Sequence, residues 1–456
     1  MLCAAQFIVI LDTSIIGVAL PAIQADLGFS ASGLSWIFNA YVIAFGGLLL
    51  LGGRLSDLFG ARRIFTTGFV ILTAASLLAG LASSQEILLA GRALQGIGAA
   101  LIAPSALTIV MRLFGHNGAE LGKAFGFWGA AAAAGGSAGV FLGGVITEWM
   151  AWQWTFLINV PLGLIVLTAI PAVLRKSERA LGKVDWFGAI TVTGALVSLV
   201  YAIVTIETAG LGSPLILSLL GISLALFVIF LIAQRVRREP LLPLGIFKAP
   251  NLAAGNLVMA LLGAAWIPLW FFLNLYLQQV LGLSALASGL ALLPMTILIM
   301  IVMVGFSGKL IGRFGPKTNL ILGLLLMGAS LILFANLPLD GSFVINVLPA
   351  SLLAALGMAL AYIPATMSGM AGAKPEETGL ASGLINTSYQ IGSAIGLAVM
   401  VVISTAGYGH GSAGPAEMLQ GFQAAFQGAG VVAAVAALAT LLLIRGAAAQ
   451  REVPVG

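Results

Sequence analysis

Charge and cysteine are both scarce in this chain of 456 residues, and each scarcity excludes a class of protein. Only 8% of the residues are Asp, Glu, Lys or Arg, which is too little charge to cover a soluble domain of this length. The single cysteine, Cys3, excludes an internal disulfide. The sequence also lacks the glycine-rich phosphate loop G-x-x-x-x-G-K-[ST], which argues against an ATP-driven pump. We expect no cofactor and no enzymatic activity.

Apolar residues take the place of charge, at 60% of the chain and a mean hydropathy of +1.12. About twenty consecutive apolar residues cross the hydrocarbon core of a bilayer as a helix. Polar, Gly and Pro interruptions divide the chain into fourteen such segments, which predicts an all-α membrane protein with fourteen transmembrane helices. The predicted spans are 2–23, 34–56, 64–82, 87–112, 121–147, 154–174, 186–206, 214–233, 252–278, 285–308, 318–336, 343–370, 378–406 and 422–444.

The cations fix the predicted orientation, because short loops rich in Lys and Arg stay in the cytoplasm. With an even number of spans, all Lys and Arg residues except Arg92 fall on one side, while the opposite loops carry only acids such as Asp26 and Glu148. We therefore expect both termini in the cytoplasm of a cell-membrane protein. The net charge of +5 is then a topological signal, and no soluble region is long enough to bind nucleic acid. His116 and His410 fall on opposite sides, so they cannot share a metal ion.

Met1 lies at the edge of the first predicted span without a preceding basic flank, so we expect that the natural chain starts further upstream.

An internal repeat divides the chain. The loop after the second span reads GRLSDLFGARR from Gly53, and the loop after the tenth reads GKLIGRFGPKT from Gly308, an offset of 255 residues. Glycines and alanines of spans five and thirteen recur at an offset of 257. Both copies start from the same side, which indicates parallel repeats. We predict a six-helix bundle over 1–174, two inserted helices with basic loops over 175–240, and a second six-helix bundle over 241–456.

Several motifs in these positions resemble those of the major facilitator superfamily, and specifically of its fourteen-helix drug:proton antiporters. The resemblance covers the whole chain. Its motifs are LDTSIIGVALP from Leu11, GRLSDLFGARR from Gly53, RALQGIGAA from Arg92, GGSAGVFLGG from Gly135, WQWTFLINVP from Trp152, and GLASGLINTSYQ from Gly379. Two positions depart from the family pattern. Val140 replaces a Pro, which puts the kink of the fifth helix in doubt, and Gln153 replaces an Arg on the outer side.

Asp12 and Arg92 are the candidate proton-coupling residues, since an ionisable group inside a membrane is a functional site by default. A carboxylate at the midplane is costly when charged, so it protonates readily, forms a pair or lines a wet cavity. The alternative for Asp12 is a capped or paired residue that only orders the first helix. Arg92 lies about 9 Å from Asp12 in depth at 1.5 Å per residue, a gap that its side chain nearly bridges. Its alternative is an Arg that extends to the outer interface or binds backbone carbonyls.

The remaining candidates rest on the resemblance. Residues Gly53, Asp57, Gly60, Arg62 and Arg63 would form a gating loop in which Asp57 meets the start of the eleventh helix; the alternative is a solvated ion cluster. In span five, Gly135, Gly139, Gly143 and Gly144 allow close helix packing, and a role in antiport is implied by the resemblance. The candidates that line the substrate cavity are Gln95, Trp128, Asn159, Asn274, Asn386 and Gln390.

The sequence therefore predicts a monomeric, proton-coupled exporter of amphipathic organic compounds that works by alternating access in a lipid bilayer. One alternative is a facilitator or symporter of a small metabolite on the same fold, because a fold does not fix substrate or direction. Another is a membrane sensor that binds ligand without transporting it.

Overall fold

The computed structural model describes residues 1–30, 32–114, 118–174, 184–210, 212–370, 378–406 and 414–445, and these residues form helices without β-strands. The helices are α1 (Leu2–Ser14), α2 (Ile16–Leu27), α3 (Trp36–Phe59), α4 (Ala61–Gly80), α5 (Gln85–Phe114), α6 (Gly118–Trp149), α7 (Trp154–Leu157), α8 (Asn159–Val173), α9 (Trp186–Ala209), α10 (Pro214–Val236), α11 (Leu252–Leu275), α12 (Ala285–Ile301), α13 (Ser307–Phe314), α14 (Pro316–Phe334), α15 (Leu348–Met370), α16 (Thr378–Thr405) and α17 (Pro415–Leu443). The segments Tyr276–Val280, Val302–Phe306 and Phe343–Val347 are π-helical.

Within the described residues, thirteen helical stretches are long and apolar enough to cross a membrane, and the bent pair α1–α2 brings the number to fourteen. The predicted all-α membrane fold is therefore confirmed. The first predicted span, 2–23, is two helices that meet at Ile15 with a bend of 42°. Thr13 donates its hydroxyl proton to the carbonyl of Ile10 at 2.8 Å in the turn before the break, a side-chain bond that bends helices.

Two pairs of helices pack in the same way. Helix α6 lies along α1, and α16 lies along α11, in each case through glycines whose missing side chains let the backbones touch. The glycines and the residues that they contact are Gly135 at Phe7, Gly139 at Leu11 and Ser14, Gly392 at Ala260, and Gly396 at Ala264. The loop repeat also has a matching backbone, since Gly60 (φ 93°) and Gly315 (φ 78°) each separate two helices in a conformation that favours glycine.

The two ends of the helix bundle differ in charge. We call the end that carries Asp26, Glu86 and Glu148 the acidic end, and the end that carries Arg54 and Arg445 the basic end. At the acidic end α6 packs tightly on α12, since a methyl group added to Gly144 would lie 2.9 Å from the carbonyl oxygen of Ala285. Toward the basic end, Gly129 and Gly305 have open space where a side chain would lie, and Phe127 is 70% exposed.

Val140, which occupies the position of the expected Pro, is fully buried in this seam. Its carbonyl oxygen lies 2.7 Å from the position of a methyl group added to Gly289 of α12. Helix α6 runs as one helix over Gly118–Trp149, and Val140 keeps the backbone N–H that a proline would lack.

Helices α9 and α10 form a hairpin whose α9 packs against both α3 and α16. The side chain of Thr193 on α9 packs against Gly47 of α3. The rings of Trp36 on α3 and Tyr201 on α9 lie 6.0 Å apart. The hairpin thus covers the seam at which α3 meets α16.

Candidate functional site

Asp12 lies three residues before the break between α1 and α2 and is fully buried. Its carboxylate accepts hydrogen bonds from three side chains on two other helices, α5 and α8. The donors are Arg92 Nη1 at 3.0 Å, Gln95 Nε2 at 2.7 Å and Asn159 Nδ2 at 2.6 Å. We call Asp12, Arg92, Gln95, Asn159 and Ser76 the Asp12 network. These hydrogen bonds offset part of the cost of burying the carboxylate.

Arg92 is also fully buried, so the alternative in which its side chain extends to the outer interface is wrong. Besides its ion pair with Asp12, its Nε donates to the carbonyl of Ile37 on α3 at 2.9 Å, and its Nη1 donates to Gln95 Oε1 at 2.9 Å. The depth gap expected from the sequence is closed by the length of the arginine side chain. The pair is directly bonded, without a bridging water molecule.

Gln95 and Ser76 extend the network to a fourth helix. Arg92 and Gln95 are three residues apart on α5, so they share one face of that helix. Gln95 Nε2 also bonds Ser76 Oγ on α4 at 2.9 Å, and Ser76 donates to the carbonyl of Leu72 at 2.7 Å. Helices α1, α4, α5 and α8 therefore meet through side-chain hydrogen bonds around one carboxylate.

Two glycines of α6 pack against the backbone on either side of Asp12. A methyl group added to Gly139 would lie 3.1 Å from the carbonyl oxygen of Leu11, the residue before Asp12, and one added to Gly143 would lie 2.5 Å from the carbonyl oxygen of Ile15. Any larger residue would displace the backbone that carries the acid. The close packing expected from the glycine motif is thus present, and it lies directly beside the Asp12 network.

A buried acid that can be neutralised by one proton, paired with a cation that cannot lose its own, is an arrangement suited to binding and releasing protons. Three buried polar atoms of this region have no hydrogen-bond partner among the described residues. They are Arg92 Nη2, Asn159 Oδ1 and the hydroxyl of Tyr41. Buried polar atoms of this kind are usually satisfied by internal water.

A model of the Major Facilitator Superfamily matches residues 2–397. The chain belongs to this superfamily. Its relatives include the cephamycin export protein CmcT of Amycolatopsis lactamdurans, 36% identical over 97% of this chain and 91% of that protein. The puromycin resistance protein pur8 of Streptomyces alboniger is 37% identical over 88% of this chain and 80% of that protein. The lincomycin resistance protein of Streptomyces lincolnensis is 33% identical over 99% of this chain and 92% of that protein.

Solved structures agree on the fold. An auto-inhibited peptide transporter of the POT family aligns with a TM-score of 0.68 over 100% of this chain and 97% of its own, at 16% identity. The nucleoside transporter NupG aligns with a TM-score of 0.65 over 98% of this chain and 100% of its own, at 12% identity. The resemblance expected from the motifs is confirmed, and the protein is a multi-pass membrane transporter of this superfamily.

The other predicted cavity residues lie apart from the Asp12 network. Asn274 is fully buried on α11 beside Gly17 and donates to the carbonyl of Trp270 at 2.8 Å. Asn386 donates to the carbonyl of Ser382 in its own helix, α16, at 2.9 Å. Gln390 packs against Gly46 of α3, and Trp128 is half-buried on α6. Gln95 and Asn159, expected at the cavity surface, are buried inside the network instead.

The segment predicted as a gating loop lies at the basic end, but it is helical apart from Gly60, since residues 53–59 end α3 and residues 61–63 begin α4. Gly60 provides the turn, Gly53 packs near Pro104, Arg62 is half-buried and Arg63 is exposed. The side chain of Asp57 lies outside the described residues. At the start of α14, where the resemblance places the partner of Asp57, Asn319 donates to the carbonyls of Leu310 at 3.0 Å and Gly315 at 2.7 Å.

A second buried acid, Asp185, also accepts several hydrogen bonds, and it was not predicted from the sequence. It caps the start of α9 and accepts hydrogen bonds from Gly188 N at 2.9 Å, Gln234 Nε2 at 2.8 Å, Arg237 Nη1 at 2.8 Å and Leu241 N at 3.3 Å. Burial alone would raise the pKa of Asp185, but the bonds from Gln234, Gly188 and Leu241 and the charge of Arg237 outweigh it, so the pKa is lowered. An Asp just before an apolar run is a helix-capping signal that could have revealed it.

Proposed function

We propose that this transporter is a proton-coupled antiporter that exports amphipathic organic compounds of the antibiotic class, with Asp12 as the group that carries the proton. The observation that carries the proposal is the buried Asp12–Arg92 pair at 3.0 Å, held by neutral donors from α5 and α8. The ionised carboxylate accepts hydrogen bonds from one cation, Arg92, and from two amide groups, those of Gln95 and Asn159. In its protonated form the site carries one net positive charge, so the two states bind the surrounding helices differently.

Relatives support the substrate class. Proteins named for cephamycin export and for puromycin and lincomycin resistance align over most of their own length with this chain. The names cover chemically different compounds, so a broad class of amphipathic molecules is proposed here. Residues Trp128, Asn274, Asn386 and Gln390 remain the candidates for the substrate cavity.

Transport by this chain would proceed by alternating access between a bundle over 1–174 and a bundle over 241–456, with the inserted pair over 175–240 at their seam. Contacts across the acidic end support a conformation that is closed there. Gln278 of the π-helical segment donates to the carbonyl of Val18 on α2 at 2.9 Å, and Gln279 donates to Gln24 Oε1 at 2.9 Å. If the basic end faces the cytoplasm, as the loop charges favour, this conformation faces inward.

We further propose that the protein works as a monomer in the cell membrane, with both termini in the cytoplasm. The loop Gly53–Arg63 would gate the basic end through Asp57, and the glycines from Gly135 to Gly144 would let α6 move against α1 and α12 without side-chain obstruction.

The decisive experiment measures flux in proteoliposomes under an imposed pH gradient. The substrate is a permanently charged amphipathic dye, because a weak base accumulates in acidic vesicles without any protein. The membrane potential is clamped, and protein-free vesicles give the background. Antiport predicts uptake into vesicles that are acidic inside. Asp12→Asn, which removes the titratable group while keeping the side-chain shape, is expected to reduce that uptake to the background.

Asp26→Asn is the matched control, because Asp26 is an exposed acid on the neighbouring helix α2. It should leave uptake unchanged. Full gradient-driven uptake by Asp12→Asn would remove Asp12 from the coupling site. Uptake driven instead by acid outside would identify a symporter, and dye binding without flux would identify a sensor.

A further inference from the structure

A cavity of about 470 Å³ lies at the basic end, between the start of α11 and the end of α17, and we call it the basic-end cavity. Its wall combines two cations, Lys248 and Arg445, with the apolar side chains of Phe247, Leu257 and Leu443. These apolar side chains are between 37% and 51% exposed. The basic-end cavity therefore joins positive charge to exposed apolar surface, which suits a ligand with a negative group on an apolar body.

The order of these residues along the helices matches the order of groups in a phospholipid. Lys248 lies four residues before the candidate span Leu252–Val280, and Arg445 lies two residues after the candidate span Pro415–Leu443. Leu257 and Leu443 lie within those spans. The cations are therefore expected at the depth of the lipid headgroups, and the exposed leucines at the depth of the acyl chains.

Two hydrogen bonds fix the cation of α17 at the start of α11. Asn251 Nδ2 donates to the carbonyl of Arg445 at 2.9 Å, and Arg445 N donates to Asn251 Oδ1 at 2.8 Å. Asn251 has a left-handed backbone (φ 65°), a conformation that asparagine adopts more readily than most residues. Both bonds involve only the backbone of Arg445, so they hold this residue beside the basic-end cavity without using its guanidinium.

The two cations of the basic-end cavity differ from other cations near this end in having no acid. Two arginines form ion pairs, Arg54 with Glu239 at 2.6 Å and Arg237 with Asp185 at 2.8 Å. Among the described residues, Lys248 and Arg445 form no ion pair. The start of α11 adds partial positive charge, because Ala253 and Ala254 of its first turn line the cavity and no side chain caps this helix. A general excess of cations in cytoplasmic loops does not require two of them to share one cavity.

We propose that the basic-end cavity binds an anionic phospholipid from the leaflet at that end. Its phosphate would lie against Lys248, Arg445 and the start of α11, and its acyl chains would lie along Leu257 and Leu443. In the proposed orientation this is the cytoplasmic leaflet, where anionic lipids attract Lys and Arg residues near the membrane surface. The site is separate from the Asp12 network and does not depend on proton coupling.

The test titrates the purified protein in detergent with dioleoyl phosphatidylglycerol and counts the bound lipid molecules by native mass spectrometry. Dioleoyl phosphatidylcholine, which has the same chains and no net charge, is the reference lipid. We expect the wild type to bind phosphatidylglycerol more tightly. Lys248→Gln and Arg445→Gln should each weaken the first binding step about fivefold, through loss of one cation near the headgroup. Arg445→Gln keeps the two bonds to Asn251, because these use only the backbone.

Lys309→Gln combined with Arg313→Gln is the matched control. It also removes two exposed cations from the basic end, but neither lines the basic-end cavity. This control should bind phosphatidylglycerol like the wild type, whereas Lys248→Gln combined with Arg445→Gln should lose the preference over phosphatidylcholine. An equal loss in both double variants would assign the binding to the total charge of this end and overturn the proposal. An unchanged affinity in the cavity double variant would overturn it as well.

Two measurements on the wild type decide the question even if a variant does not fold. Equal affinities for the two lipids would overturn the proposal. Displacement of phosphatidylglycerol by inorganic phosphate would identify a site for a soluble anion and would also overturn it, since the apolar wall would then contribute nothing. None of these measurements involves transport, so a failure of the proposed antiport leaves their outcome unchanged.

Discussion

The pairs α1–α6 and α11–α16 share their packing and differ in their chemistry. Each pair meets through two glycines one turn apart, and each leaves the backbones in contact. Leu11 contacts Gly139 in the first pair, and Ala264 contacts Gly396 in the second. The residues that follow them, Asp12 and Ala265, therefore occupy corresponding positions, and both are fully buried. Close packing through glycines is thus shared by both helix pairs, while among the described residues the ionisable network lies only at α1–α6. This packing alone does not create the ionisable network on which the proposed coupling depends.

Moving the acid from α1 to α11 should have the largest effect. Asp12→Asn combined with Ala265→Asp places a carboxyl at the corresponding position of α11. We expect no recovery of gradient-driven uptake and a loss of stability of several kcal/mol, because a buried carboxyl without a paired cation is strongly destabilising. Dye uptake and thermal unfolding in detergent measure the two effects. Ala265→Asn measures the loss of stability that comes from side-chain size without a charge. Restored uptake in the double variant would show that a buried acid in α11 can replace Asp12.

A second variant tests whether the packing of α6 supports the acid. Gly139→Ala is expected to cost about 1–3 kcal/mol and to reduce transport, because its methyl group would lie 2.8 Å from Cβ of Ser14. Gly129→Ala in the same helix is the matched control, since Gly129 faces open space. There the better helix propensity of alanine should stabilise by up to about 1 kcal/mol. Equal unfolding temperatures for the two variants would contradict the packing argument.

Much of the fold followed from hydropathy and loop motifs, because membrane spans depend on long apolar runs that are visible in the sequence. Asp12 and Arg92 were recognisable for the same reason, since an ion within such a run is conspicuous. Their direct contact was not predictable, because it depends on how α1 and α5 are rotated. Ser76, Tyr41 and the carbonyl of Ile37 were missed, since a serine, a tyrosine or a backbone group in a membrane helix carries no signal of its own. The bend at Ile15 was missed because no proline or glycine occupies that position.

Asp185 resembles Asp12 in its burial and in the number of its hydrogen bonds, but it has no proposed role in transport. It is 3% exposed, accepts four hydrogen bonds and faces Arg237, but it lies just before α9, outside the candidate membrane spans. We expect Asp185→Asn to lower the stability by about 1 kcal/mol at neutral pH, through weaker hydrogen bonds to an uncharged acceptor. Gradient-driven uptake per folded molecule should remain that of the wild type.

The pH dependence of this effect follows from the lowered pKa of Asp185. A carboxylate whose pKa is lower in the folded protein than its ordinary value of 3.8 stabilises the fold above that value. Its contribution is lost as the pH falls through the folded pKa. The difference in unfolding temperature between the wild type and Asp185→Asn should therefore be largest at neutral pH and shrink below 3.8. A loss of proton coupling in this variant would mean that burial and many hydrogen bonds, wherever they occur, are enough to make an acid essential for transport, and the distinction drawn for Asp12 would fail.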